Sequence, residues 1–544
     1  MADIEDCVGK CLNCSVQCVN SIKSVSVASC EHESVSQVHD VAIIGAGAIG
    51  CSVARELSKF QLNVIVLEKC NDVSQGASKS NSGIIHGGYD DRHGTVKSEM
   101  SHQGNHMFAD LEKELNFGYR RTGSMVLAFS EEETKILNEL LENGIKNGVE
   151  DLQILSGAEV RKLEPHVNSN VYAALYCPCA GLTSPYEYVI ALAENAVSNG
   201  IKFLLEHEIQ DIQIVSNDTT PSEITSNNGQ HFLVRSSRDT FRARIVVNAA
   251  GLMADRIAAM VGANNFYILP RKGEYIVLNH TQGTLVNHIL FPVPSKQRGK
   301  GVLVSPTYHG NLLLGPTSRG PAEGNLSQRQ VLELIIASAR HSVPDFDVSQ
   351  AITSYTGLRS QCSHGDFIIE ESGSVNGFIN VAGIDSPGLT SSPAVAKRVV
   401  EIIRKALKDA NNIEIKPNPT FNPCRKPIYH KKPANFLGEI DHADPQLNII
   451  CRCERITEAE IVDSIHRPLG AHDVDAVKRR TRAGAGFCQG KFCEPRVLNL
   501  IARELNVPLE SLPKRAVGSS VLPHRRLTDE DRQLLEELAL SAKL

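Results

Sequence analysis

The stretch VAIIGAGAIGCSVARELSKFQLNVIVLE, residues 41–68, constrains this chain more than any other. An apolar run ends in a glycine turn, a helical pattern follows, and a second apolar run closes on an acid. That order of strand, turn, helix and strand begins a parallel sheet. Gly45, Gly47 and Gly50 stand where such a turn needs glycine: for the bend, for close approach of a pyrophosphate, and for packing of helix on strand. The helix start, with Ala48 and Ile49, offers free amides and a partial positive charge to phosphates. Glu68, about 23 residues beyond the first glycine, is placed to accept from ribose hydroxyls, and Lys69 follows it. Dinucleotide binding is the expectation, and the motif alone does not separate FAD from NAD.

At 544 residues the chain is too long for one hydrophobic core and should divide into several domains. A net charge of -6 gives no global field that would recommend nucleic acid or an anionic membrane as partner. No apolar run approaches the roughly 18 residues of a spanning helix. The N-terminal MADIEDCVGK has neither a secretory apolar region nor the Arg-rich character of a transit peptide, so a cytoplasmic protein is expected. In a reducing compartment the fifteen cysteines are not expected to pair as disulfides, and clusters among them point to metal or redox chemistry.

The pattern divides the chain into a Cys-rich extension (1–38), an α/β nucleotide-binding part (39–410), a Pro- and Asn-rich linker (411–446), a compact helical unit (447–510) and a tail helix (511–544). Strand-like runs at SMVLAF, RIVVNAAG, YIVL, GVLVSP, NLLLGP and FINVAG alternate with helical runs such as SPYEYVIALAENAVSNG and PAVAKRVVEIIRKAL. This suggests a nucleotide-binding α/β layer with a more antiparallel second layer. In the compact unit, Thr457 and Glu460 have the spacing of a capping box.

After the second strand comes GASKSNSGIIHGGYD, where small residues, among them Ser78, Ser82 and Gly83, let backbone lie close to a flat ring. His86 sits there in a glycine setting rather than on an amphipathic face. A lone histidine is more often structural, but its place just after the ribose-binding acid favours catalysis.

These segments, with LPRKGEYIVL, VPSKQRGKGVLVSPTYHGNLLLGPT, YTGLRS and VAGIDSPGLTSSPAV in this order, resemble the FAD-dependent oxidoreductases of the D-amino-acid-oxidase-like superfamily. Within it they look most like the glycerol-3-phosphate oxidase/dehydrogenase group, over about residues 39–405. L-2-hydroxyglutarate oxidases share several of the motifs. The resemblance implies a Rossmann-type FAD-binding domain interleaved with an antiparallel substrate domain. It assigns the ADP part of FAD to Gly45, Gly47, Gly50 and Glu68, and the path to the flavin to Ser78 and Ser82. Adenine contact falls to the backbone of Ile209, and closure of the nucleotide site to Ala250 and Gly251. The loop and helix N-terminus of Gly383, Ser386, Pro387, Gly388 and Leu389 would lie at the flavin's pyrimidine edge. Hydride transfer from a secondary alcohol needs a base, for which His86 is suited. The substrate's anionic group would be held by Arg359, with Lys300 as a second cation and Ser386 as a polar contact.

ICRC and FCQGKFC supply Cys451, Cys453, Cys488 and Cys493. Four thiolates suit either tetrahedral zinc or a [2Fe–2S] cluster, and zinc ribbons more often use C-x2-C on both sides. The segment resembles the bacterioferritin-associated-ferredoxin-like domain, which implies a [2Fe–2S] cluster on these four. Cys7, Cys11, Cys14 and Cys18 follow one helical stripe and stay open between docking face and metal site. Cys177 and Cys179 read as loop or core residues. The expected activity is oxidation of sn-glycerol 3-phosphate to dihydroxyacetone phosphate, with electrons leaving through the cluster to an acceptor protein or quinone. The alternatives are a 2-hydroxy-acid dehydrogenase and a non-catalytic electron-transfer or iron-sensing protein. No nucleic-acid partner is expected; a peripheral membrane contact and homo- or hetero-oligomers are both compatible with the sequence.

Overall fold

The computed structural model describes residues 37–215, 231–294, 301–320, 326–426, 428, 443–516 and 519. Lys300, the four head cysteines, most of the linker after 426 and nearly all of the tail after 516 lie outside the described residues.

Val38–Ile44 pairs in parallel with Val64–Leu67 on one side and Thr240–Asn248 on the other. Val64–Leu67 is buried throughout, because a parallel strand covered on both faces needs apolar side chains at every position. Lys202–Leu204 extends this sheet in parallel. Ile209–Val215 and His231–Ser236 form an antiparallel extension beside Thr240–Asn248, and Phe378–Ala382 pairs in parallel with the end of that strand. Helices Ala48–Leu57, Val96–Leu115, Pro185–Ser198 and Gly388–Asn411 share one apolar core with the sheet.

The helical run read from Pro393 begins at Gly388, where the resemblance puts a helix N-terminus, and carries Pro393 inside it. Proline leaves the carbonyl four residues back without its amide. The Ser392 hydroxyl fills that place by donating to the Leu389 carbonyl at 2.9 Å. GVLVSP is strand only over Val304–Pro306.

A second, mainly antiparallel eight-stranded sheet is organised around Ile268–Leu278 paired with Ala351–Cys362. The C-terminal unit has its own core. A short hairpin, Ile449–Cys451 with Ile456–Thr457, leads into helices Glu458–His466, Val474–Thr481 and Glu494–Leu505. The Thr457–Glu460 capping box is formed: Glu460 accepts from the Thr457 amide at 2.7 Å, and Thr457 Oγ1 accepts from the Glu460 amide at 3.3 Å. The architecture is mixed α/β with a small helical C-terminal domain.

That domain is held to the rest by buried charges. Asp72 accepts from Arg479 at 2.6 Å and from Arg480 at 2.8 and 2.9 Å. Glu194, on the buried side of its helix, takes Arg425 at 2.8 Å and Arg467 at 2.9 Å. Against the cost of burial, the two arginines hold the Asp72 carboxyl down at about 2. Such pairs add little net stability relative to apolar packing, but breaking one strands a buried charge, so they fix one orientation.

Candidate functional site

The glycine turn meets the end of Thr240–Asn248. Gly45 has φ +103°, and a Cβ there would lie 2.6 Å from the Ala249 carbonyl oxygen. A Cβ on Gly50 would lie 1.8 Å from the Gly45 carbonyl, so helix and strand approach at that point only with glycine. The helix has Gly47 at its N-cap with no side-chain cap, and its first amide, Ala48, donates to Ser78 Oγ at 2.9 Å. Ala46 donates to Glu68 Oε2 at 2.7 Å, and Cys70 to Oε1 at 2.9 Å. Just before Ile209, the His207 amide donates to the Glu68 carbonyl at 2.8 Å. Gly45, Gly47, Ala48, Ile49, Gly50, Glu68, Ile209, Ala250 and Gly251 therefore gather at the carboxyl edge of the parallel strands, with Lys69 exposed beside them. A helix start with glycine at its N-cap, an acid just past the second strand and a cradle that a Cβ would fill are what the ADP half of FAD requires.

The serine-rich loop is clamped between the two sheets. Asn81 Nδ2 donates to the Ser78 carbonyl at 2.9 Å, Asn81 Oδ1 accepts from the Gly83 amide at 2.9 Å, and the Asn81 carbonyl accepts from Tyr355 Oη at 2.9 Å. A Cβ on Gly357 would stand 2.0 Å from the Ser80 carbonyl oxygen, so strand Ala351–Cys362 lies directly on this loop. His86 is half-buried, with its amide donating to Thr390 Oγ1 and its carbonyl accepting from Asn105 Nδ2, both at 2.9 Å. Its ring centroid lies 6.4 Å from that of Phe291. Thr390 is in the first turn of the helix that starts at Gly388, so Ser386, Pro387, Gly388 and Leu389 come to the His86 loop. Ser360 Oγ donates to the Ile384 carbonyl at 3.0 Å, and Gly383 (φ +69°) packs on Cys362, tying the same turn to the Arg359 strand.

Arg359 donates to the Thr317 carbonyl at 3.3 and 3.4 Å and lies beside the Tyr275 side chain. Its strand and its neighbour mirror each other: Arg271 lies opposite Arg359, Gly273 opposite Gly357, and Tyr275 opposite Tyr355. Opposed residues of an antiparallel pair share a face. The tyrosine rings stack at 4.5 Å and 14°, and the glycines leave a trench that the Arg359 guanidinium enters, 3.1 Å from where a Gly273 Cβ would be. Sequence reasoning singled out Arg359 and missed Arg271. The signal was present as R-x-G-x-Y in PRKGEYIVL and Y-x-G-x-R in SYTGLRS, and only the antiparallel register makes it legible.

Among the described residues, no three His, Cys, Asp or Glu side chains converge as one metal ion would need. The four tail cysteines instead form two thiol pairs. In the buried pair, Cys493 donates to Cys451, which brings Cys451 down to about 6 and pushes Cys493 up. Cys453 and Cys488 form the outer pair. Two pairs suit a binuclear cluster, which divides four thiolates between two metal atoms, better than a single zinc. The loop is shaped for it: a Cβ on Gly486 would be 2.4 Å from Cys453 Cβ, Gly484 and Gly490 have φ +89° and +88°, and Gln489 Nε2 donates to the Ala485 and Gly486 carbonyls at 3.0 and 2.9 Å. Glu454, beside the outer pair, accepts from Arg482 at 3.0 Å and faces His280 Nε2 at 3.1 Å. Arg482 also donates to Tyr186 Oη at 3.3 Å and to Asn311 at 3.2 Å. Cys177 is buried in its strand, and its sulfur lies 3.4 Å from that of Cys179.

Residues 40–402 match the FAD dependent oxidoreductase family, and residues 449–503 match the BFD-like [2Fe-2S] binding domain. The chain belongs to the FAD dependent oxidoreductase family, and FAD and a [2Fe–2S] cluster are its cofactors. It is 46% identical to a glycerol 3-phosphate dehydrogenase of Caloramator mitchellensis over 89% of this chain and 98% of that one. It is 34% identical to a glycerol 3-phosphate oxidase of Mycoplasma genitalium over 71% of this chain and 99% of that one. Among solved structures, the reduced L-alpha-glycerophosphate oxidase of Mycoplasma pneumoniae with FAD bound superposes with a TM-score of 0.64 at 30% identity, over 72% of this chain and 98% of that one.

Proposed function

We propose that the protein oxidises sn-glycerol 3-phosphate to dihydroxyacetone phosphate, and that the electrons leave through the C-terminal [2Fe–2S] cluster to an acceptor protein or quinone. The observation that carries the reading is the pair Arg271 and Arg359, directly opposed on the face that packs on the His86 loop. Two guanidiniums opposed on one face can offer several charge-assisted donors to a single phosphate dianion. The two carboxylates of a 2-hydroxy diacid are separated by the carbon chain and fit one such focus less well. The relatives named above, which are glycerol 3-phosphate enzymes, support the same substrate.

FAD supplies the hydride acceptor, and the cluster a one-electron carrier. The chain's own residues do the rest. Gly45, Gly47, Ala48, Gly50 and Glu68 would hold the ADP half, and Ser78, Ser82, Gly383 and Leu389 would line the flavin. His86 takes the proton of the carbon-bound hydroxyl, since a neutral imidazole is a competent base. Its main chain is held at both amide and carbonyl, so the ring is aimed by the backbone. Arg359, Arg271 and Lys300 bind the phosphate, Ser386 contacts the substrate, and Phe291 walls the base from water. Cys451, Cys453, Cys488 and Cys493 hold the cluster.

Supporting an electron route between the two centres, aromatic and charged side chains lie in series between the substrate face and the outer cysteine pair. Tyr275, beside Arg359, stacks on Tyr355. Burial, and after it the neighbouring phenols of Tyr275 and Tyr186, raise the Tyr355 hydroxyl well above its ordinary pKa, and Tyr186 joins Arg482 and Glu454. Turnover with a dye acceptor tests the reading. Glycerol 3-phosphate should yield dihydroxyacetone phosphate, His86→Asn should lose the activity while keeping FAD, and oxidation of L-2-hydroxyglutarate alone would overturn it.

A further inference from the structure

The two most exposed phenylalanines among the described residues, Phe487 (63%) and Phe492 (79%), each stand immediately before a cluster cysteine, in FCQGKFC. The Phe492 amide lies close to the Cys488 sulfur, so this exposed residue stands beside the outer cysteine pair. The adjoining exposed charges are all positive: Arg452, Arg455, Lys491 and Arg496. The two acids in the same loops are engaged, Glu454 by Arg482 and His280 and Glu494 by Lys514. Among the described residues, none of the four cations stands in an ion pair. A chain of net charge -6 thus concentrates positive charge and bare aromatic surface where the cluster comes nearest to solvent.

We propose that this patch is the docking surface for an acidic one-electron carrier protein, seated with its redox centre over Cys453 and Cys488. The proposal rests on the reading of the cluster as the electron exit. The contact of the cluster unit with the flavin part takes Asp72, Glu194 and, at Glu454, His280, while the two phenylalanines and the four cations stay exposed, where a partner can reach them. Protein partners place aromatic anchors at the centre of a contact and charges at its rim, where complementarity sets the rate of encounter. Two phenylalanines are a small apolar area for inserting into a bilayer, whereas they suffice to exclude water over a redox centre. One electron passes at each encounter: the reduced cluster is oxidised, and the carrier's oxidised centre is reduced.

The test uses the full-length holoprotein with two haem probes, the acidic soluble domain of cytochrome b5 and the basic cytochrome c, in equilibrium binding and in stopped-flow. The acidic probe should bind with an affinity that falls steeply with salt, and the basic probe at least about ten-fold more weakly. Lys491→Glu with Arg496→Glu should weaken the acidic probe at least about ten-fold, and Phe492→Ala should speed its dissociation. Cluster absorbance and substrate-driven flavin bleaching should be those of the wild type in both variants. Unchanged binding in both variants would overturn the proposal, as would equal binding of the two probes. Capture by anionic phospholipid vesicles that these substitutions abolish would assign the patch to a membrane, and concentration-dependent self-association that they abolish would assign it to a second copy; either result overturns it. Loss of flavin bleaching by substrate in the wild type would instead defeat the functional reading, leaving the binding result to stand alone.

Discussion

Asp72, four residues past the acid that ends the second strand, meets Arg480 of the cluster domain through two hydrogen bonds at 2.8 and 2.9 Å, with both side chains almost wholly buried. One carboxylate at the edge of the nucleotide-binding part thereby orients a domain 400 residues further along the chain.

Asp72→Asn leaves Arg479 and Arg480 buried without their counter-charge, at a cost of about 3–5 kcal/mol to the docked state. Thermal melts followed at the cluster and flavin absorption bands should separate in this variant and coincide more closely in the wild type. The acid dependence has a definite sign. The folded carboxyl is held down at about 2 from its ordinary 3.8, so its contribution is fully present above 3.8 and is lost as pH falls through about 2. Asp72→Asn should lack that acid-dependent component of domain docking.

Gly357→Ala forces a Cβ to within 2.0 Å of the Ser80 carbonyl oxygen, so strand and flavin loop must part. Overpacking of this kind costs about 1–3 kcal/mol, and bound FAD per chain should fall with it. Gly76→Ala is the control, since nothing lies within 4 Å of its new methyl group. FAD content after gel filtration and the melting temperature check both.

The parallel strand–turn–helix–strand unit and the glycine cradle were legible because residues 41–68 carry their pattern locally. Capping at Thr457 was equally so, since both partners sit within one turn. Neither the Asp72–Arg480 contact nor the Glu194 pairs could be read in this way. An acid in a loop and an arginine on an amphipathic helix look like ordinary solvated charges until tertiary packing buries them together. Arg271 was hidden for a related reason: its partner is 88 residues away, and only strand register opposes them. The helix start at Gly388 was carried by the family resemblance and not by the apolar pattern, because Pro393 reads as a boundary until the Ser392 hydroxyl is seen to replace the absent amide.

Arg359→Gln and Arg271→Gln should each weaken phosphate binding. A charge-assisted hydrogen bond contributes about 1.5–3 kcal/mol, so the KM for glycerol 3-phosphate should rise about 10- to 150-fold for Arg359. Arg271→Gln should raise KM with little change in kcat, and inhibition by inorganic phosphate should weaken in step. Steady-state kinetics with a dye acceptor separates the two parameters.

The central claim, that glycerol 3-phosphate reduces both a flavin and the cluster held by Cys451, Cys453, Cys488 and Cys493, is tested most directly by anaerobic titration of the holoprotein, read by absorbance and electron paramagnetic resonance. Glycerol 3-phosphate should bleach the flavin bands and raise the signal of a reduced [2Fe–2S] cluster, and Cys451→Ser should keep the bleaching and lose the cluster signal. Bleaching by L-2-hydroxyglutarate but not by glycerol 3-phosphate, or a cluster that stays oxidised beside a fully reduced flavin, would contradict it.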